Sequence, residues 1–243
     1  MRKKTTKKNQ KKNIDLTNNI GPPDDTVFTF KNRLKPKTDN QTNYIRTIAE
    51  NTITFCQGVA GSGKTHIAIG MALEYLLSEK VERIIITRPV LEAGEKIGYL
   101  PGTAEEKLHP YLLPILDEIN YFIQVSLYNK LKLLNRIEIV PLGLMRGRSF
   151  HKCFIVADEC QNASYDQLKM LLTRIGLGSK MVLTGDIAQS DLQKIHRGGF
   201  TSMSERLSDV EGIGLTKLEY ADVIRNPIIA HIIARLEDYE NNS

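Results

Sequence analysis

The stretch Gly58-Val59-Ala60-Gly61-Ser62-Gly63-Lys64-Thr65 constrains this chain more than any other. It fits a pattern of glycine, four variable residues and then Gly-Lys-Ser/Thr. Ile53-Thr54-Phe55-Cys56 before it reads as a short buried strand, and residues 66–78 after it read as a helix. A strand that stops at glycines and turns into a helix aims several backbone N–H groups, and the positive end of the helix, at one point. Glycines let the backbone curl around an anion without Cβ clashes. Lys64 is then placed to reach the β- and γ-phosphates of a nucleotide, and the Thr65 hydroxyl to ligate Mg²⁺.

The rest of the chain supplies a sheet for this loop to stand on. Arg83-Ile84-Ile85-Ile86-Thr87 and Cys153-Phe154-Ile155-Val156-Ala157 are continuous apolar runs of the kind buried on both faces of a parallel sheet. Further strands are expected at 27–30, 136–140, 180–184 and 215–220, and helices after position 41 and at 166–173 and 226–240. Residues 91–135 read as a mainly helical insertion in which Pro110 and Pro114 interrupt or start helices. Strands alternating with helices predict an α/β fold: one P-loop domain over 26–243, a parallel β-sheet flanked by helices.

Composition bounds what this domain does. No run approaches eighteen apolar residues, so no transmembrane helix is expected. Cys56, Cys153 and Cys160 lack C-x-x-C spacing and sit largely in apolar stretches, which suits reduced thiols in a cytoplasmic protein. The five histidines show no zinc-ligand spacing. The net charge of +5 is unevenly spread, because residues 1–12 hold seven Lys and Arg and no acid, leaving about −2 on the remainder. The segment 1–25 reads as a disordered basic tail, which equally fits a nucleic-acid contact or a solvated end.

Ligands of an open parallel sheet bind beyond the carboxyl ends of its strands, and three strands here end in reactive residues. Phe154-Ile155-Val156-Ala157-Asp158-Glu159 has the form of a Walker B element. Asp158 would hold Mg²⁺, and Glu159 would deprotonate the water attacking the γ-phosphate. The same two acids also suit the cap of a following helix. Leu183-Thr184-Gly185-Asp186-Ile187-Ala188-Gln189 places the Gln189 amide to sense the γ-phosphate, or forms an ordinary turn. Arg225, before Asn226-Pro227, is an arginine-finger candidate or a surface partner of Asp222.

Taken together, these segments resemble the PhoH family of P-loop ATPases, relatives of superfamily 1 helicases. Asp158-Glu159-Cys160-Gln161 is similar to the family's Asp-Glu-x-Gln motif, and Gly185–Gln189 to its motif III. Thr87-Arg88-Pro89-Val90, Glu92-Ala93-Gly94-Glu95-Lys96, Met145-Arg146-Gly147-Arg148 and Leu172-Thr173-Arg174-Ile175-Gly176 are similar to segments between them. The likeness runs over about 35–235 and implies a RecA-like domain that binds and hydrolyses ATP with Mg²⁺. It also implies that Gln41 reads adenine, since Asn40-Gln41 resembles the family's upstream glutamine element.

One RecA-like domain is half of a helicase motor. A second wall supplied by a neighbour implies a head-to-tail homo-oligomer such as a hexameric ring, with Arg225, Arg174, Arg146 or Arg148 completing the adjoining site. RNA or single-stranded DNA is the expected second ligand. Arg146, Arg148, His151 and Lys152 lie near Phe150, and Arg88, Lys96 and Lys107 near Tyr99 and Tyr111. Basic residues among aromatics suit single strands, and they equally suit a solvated face over an aromatic core. The alternative activity is an ATP-switched assembly protein that moves no strand.

Overall fold

The computed structural model describes residues 29–89, 104–189 and 199–223, with Arg235 alone beyond them. Six strands form one sheet: β1 (Ile53–Gly58), β2 (Arg83–Thr87), β3 (Ile137–Ile139), β4 (Cys153–Ala157), β5 (Lys180–Gly185) and β6 (Ile213–Leu218). Their order is β3-β2-β4-β5-β1-β6, and every pairing is parallel. The two ends that carry the phosphate loop and the Asp158-Glu159 pair are therefore separated by a single strand, β5.

The helices are α1 (Asp39–Glu50), α2 (Lys64–Leu77), α3 (Ala104–Phe122), α4 (Val125–Leu133), α5 (Tyr165–Leu172) and α6 (Gly199–Arg206). Alternate side chains of the central strands enter two cores. Cys56, Ile84, Ile86, Phe154, Val156 and Val182 face α1 to α4, packing on Tyr44, Ile67, Leu73, Ile119 and Leu131. Phe55, Ile85, Ile155, Ala157, Met181 and Leu183 face α5 and α6, packing on Leu168, Leu171, Phe200 and Met203. Each large apolar side chain removed from water contributes about 1.5–3 kcal/mol. This double-sided burial is why β2 and β4 are uninterrupted apolar runs.

Three expectations shift. The helix α3 passes through Pro110 and Pro114 unbroken; burial of Ile115, Ile119 and Phe122 outweighs the lost amide donors. The last strand is Ile213–Leu218 rather than 215–220, an edge strand in which Leu215 and Lys217 stay exposed. Thr29 and Phe30 are not in a strand. The basic tail 1–25, the first part of the insertion and the closing helix expected at 226–240 lie outside the described residues, apart from Arg235.

Candidate functional site

At the end of β1 the chain makes the expected turn into α2. Gly61 and Gly63 take φ of 78° and 93°, the left-handed region that glycine enters without cost. Gly63 is also the N-cap of α2 and supplies no side-chain cap, so the helix presents its first amides to an incoming anion. A Cβ at Gly63 would come within 3.1 Å of Gln41 Nε2. The Lys64 side chain curls back over the loop, donating from Nζ to the carbonyls of Gly58 (2.7 Å) and Val59 (2.8 Å). Ser62, fully buried, closes the turn by donating to Val59 O.

Beside this loop, Asp158 is 4% exposed, and its Oδ1 accepts from both Thr65 Oγ1 (2.7 Å) and Thr184 Oγ1 (2.6 Å). Thr184 belongs to β5, the strand between, so α2 and β5 both donate to one carboxylate oxygen at the end of β4. One hydroxyl and one carboxylate are hard oxygen donors of the kind Mg²⁺ takes, so Thr65 and Asp158 are the residues that would hold such an ion. Among the described residues no group of three or more His, Cys, Asp or Glu could hold a metal by itself.

Glu159 follows in the left-handed conformation, φ 55°, unusual for a residue with a side chain. The turn lifts its carboxylate off the strand and into the cleft. Arg88 Nη2, at the end of β2, lies 3.1 Å from Glu159 Oε1. Gln161 Nε2 donates to Glu159 Oε2, while Gln161 Oε1 accepts from the Asp186 amide at 2.9 Å. Gln161 thereby ties the acid to the turn that follows β5. In that turn Asp186 is anchored (5% exposed), and Gln189 is exposed on the cleft wall.

These groups share one cleft of about 570 Å³, which also has Arg33, Lys35, Lys37, Gln41, His66, Arg88, Glu118 and Tyr121 on its walls. The Gln41 amide is engaged on both sides: Oε1 accepts from Lys37 N (2.9 Å), and Nε2 donates to Ser62 O (3.0 Å) and Asp222 O (3.5 Å). Asp222 in turn accepts from Thr38 Oγ1, Asn40 Nδ2 and Glu219 N, so the end of β6 is fastened to the start of α1. On the far wall His66 Nδ1 lies 2.7 Å from Glu118 Oε2, with its ring against Tyr121 and Phe122.

The structure thus brings together Gly58–Thr65, Asp158, Glu159, Gln189, Gln41 and Arg88. It separates the expected basic cluster. Arg148 is paired with Glu138 through two hydrogen bonds (2.7 and 2.8 Å) and lies over Phe150, whose ring is 1% exposed and closed to stacking by a base. Lys152 precedes β4, at the end of the sheet opposite the phosphate loop, and pairs with Glu82. Arg174 is spent on the carbonyls of Met170 and Arg148. Arg146, in the turn after β3, has no hydrogen bond or ion pair among the described residues, while Arg225, Lys96 and Tyr99 lie outside them. The side chains of Lys107 and Tyr111 lie outside as well.

Sequence reasoning missed Arg33, Lys35 and Lys37, a basic rim with alternating spacing, and the role of Thr184; it named Gln161 within the Asp-Glu-x-Gln motif and Asp222 as a partner for Arg225, but not their contacts with Asp186 and with Thr38. The three cysteines are free and buried. Burial pushes the Cys56 thiol up to about 12 and Cys160 well above its ordinary value, so both stay protonated and unreactive at neutral pH.

The family model described as PhoH-like protein matches residues 33–237. A PhoH-like protein of Synechocystis sp. is 43% identical over 210 residues, 86% of this chain and 64% of the relative. A PhoH-like protein of Bacillus subtilis is 40% identical over 200 residues, 82% of this chain and 63% of the relative. Protein PhoH of Escherichia coli K12 is 36% identical over 197 residues, 79% of this chain and 55% of the relative. The chain therefore spans roughly three fifths of the length of these curated relatives. Among solved structures, the large terminase from a thermophilic bacteriophage superposes with a TM-score of 0.51 at 10% identity, covering 79% of this chain and 48% of that one, a likeness of fold.

Proposed function

This chain belongs to the PhoH-like protein family, and we propose that it is a Mg²⁺-dependent ATPase coupled to RNA or single-stranded DNA, working as a homo-oligomer. One observation carries the reading: Lys64, Thr65, Asp158 and Glu159 line a single cleft at the carboxyl ends of β1 and β4, with Asp158 already bonded to Thr65. That arrangement suits a polyphosphate at the amino end of α2 with an acid beside its last phosphate.

In this reading the triphosphate draws Lys64 Nζ off the Gly58 and Val59 carbonyls. Thr65 and Asp158 would hold Mg²⁺, which supplies neutralisation of charge on the β- and γ-oxygens. Glu159 Oε takes the proton of the attacking water. Gln189 donates to the γ-phosphate or to that water, and its turn relaxes when the phosphate leaves. Gln41 reads the adenine edge with the free lone pair of Oε1, keeping its bond to Ser62 O.

Arg225 from a neighbouring subunit is the proposed stabiliser of transition-state charge, a contribution typically worth about 10³–10⁵ in rate. Arg88 and Arg146 remain nucleic-acid candidates; the pairing of Arg148 and the position of Lys152 count against them. No described helix is long and apolar enough to cross a membrane, and the free buried thiols support the reducing cytoplasm.

The test is ATP turnover against protein concentration, with and without poly(U) or oligo(dT). Turnover per subunit should rise with concentration and rise again with a strand. A rate that depends on concentration and ignores strands would favour the assembly switch.

A further inference from the structure

A nucleotide gripped at its phosphates and read along one base edge still has the flat faces of its base to cover. The described walls of the cleft are largely polar or charged, and two rings stand among them, His66 and Tyr121. Tyr121 is 47% exposed, whereas Phe122 beside it is fully buried. Pro114, Glu118 and Tyr121 recur at i, i+4 and i+7, so one face of α3 forms this wall.

The ring is held in place from three sides. The imidazole of His66, itself paired with Glu118 Oε2 at 2.7 Å, packs 5.0 Å from the Tyr121 ring at an interplanar angle of 66°. The Phe122 ring lies 5.1 Å away at 87°. The Tyr121 carbonyl accepts from Asn32 Nδ2 and the Phe122 carbonyl from Lys31 N, both at 2.7 Å, which fastens the end of α3 to the segment leading to Gln41. A ring fixed in advance loses little freedom when a ligand lies on it. Its place also suits a nucleoside. Gln41 approaches α2 at Gly63, and Tyr121 approaches it at His66. Three residues are about 4.5 Å along a helix axis, so the two side chains flank the same first turn of α2.

Resting on the ATPase reading above, we propose that Tyr121 is the stacking platform for the nucleobase. The base lies against its ring while Gln41 reads the edge and Lys64 and Thr65 hold the phosphate end. The two base contacts divide the work. Every base has a π-face, so stacking supplies affinity without choosing between bases, and the choice of adenine is left to Gln41. The helical insertion that carries α3 thereby becomes part of the nucleotide site.

The experiment measures Mg²⁺·ATP and Mg²⁺·tripolyphosphate binding by calorimetry in the full chain and in Tyr121→Ala and Tyr121→Phe. Tripolyphosphate has no base, so it reports on the phosphate loop alone. Tyr121→Ala should raise the Kd for ATP by about 5- to 100-fold, leave that for tripolyphosphate at the native value, and keep the native thermal midpoint. Tyr121→Phe, which retains the ring, should bind ATP like the native chain. An unchanged Kd for ATP in Tyr121→Ala would overturn the platform and leave the ATPase reading in place. Equal losses for ATP and tripolyphosphate would overturn it too, by tracing the effect to the phosphate loop. A native chain that binds neither ligand would overturn the ATPase reading itself. The sequence contains no tryptophan, so Tyr121→Trp adds a single fluorescent reporter that decides the matter should Tyr121→Ala fail to fold. Its emission should be quenched by ATP and not by tripolyphosphate; emission unmoved by saturating ATP contradicts stacking.

Discussion

The Asp222 carboxylate, 1% exposed, is burdened by burial, yet hydrogen bonds from Thr38, the Glu219 amide and Asn40 outweigh that and hold its pKa below the ordinary value. A depressed folded pKa means that stability is contributed in full above the unfolded value of about 3.9 and is lost as pH falls through the folded one. Asp222→Asn should therefore cost about 1–3 kcal/mol at pH 7 in urea unfolding, and the gap to the native chain should close in acid below about pH 3.9. A gap of equal size at both pH values would show that the charge is not the source. None of this was legible in the sequence, because Thr38 and Asp222 are 184 residues apart and belong to no shared motif. Thr65 and Asp158 were legible for the opposite reason: each sits in a local pattern whose chemistry is fixed by its neighbours. Basic residues near an aromatic misled, since sequence distance from Phe150 said nothing about its burial or about Glu138 and Glu82 waiting across the fold.

Elements are easiest to read where burial is symmetric. The strands β2 and β4 stand out as apolar runs because both faces are covered. The strand β6 sits two residues earlier than its sequence suggests, because its edge position leaves it alternating. The strand β5 reaches Gly185, where a Cβ would meet Phe200 of α6 at 2.7 Å. The phenyl ring, 2% exposed, also packs 5.7 Å from the ring of Phe55, so it has little room to retreat. Gly185→Ala should destabilise the chain by about 1–3 kcal/mol through overpacking, and adding Phe200→Leu should recover part of that. A neutral Gly185→Ala in urea unfolding would contradict the packing. The substitution should also lower ATP turnover, because Asp186 and Gln189 hang from the same turn.

At the scale of the whole molecule, the sheet order decides what the phosphate loop can meet. Placing β5 between β1 and β4 lets Thr184 donate beside Thr65 to the same Asp158 oxygen, and it sets the β5 turn beside Glu159 through Gln161. The Gly58–Thr65 loop, in the sequence a nucleotide signal alone, becomes one wall of a cleft whose opposite wall carries the acid and its Arg88 partner. The comparison that tests this account most directly is Mg²⁺·ATP binding and turnover in Glu159→Gln beside the native chain. The account predicts that the variant binds the nucleotide within a few-fold of the native affinity and hydrolyses it at least about 10²-fold more slowly. Hydrolysis at the native rate in Glu159→Gln would contradict it.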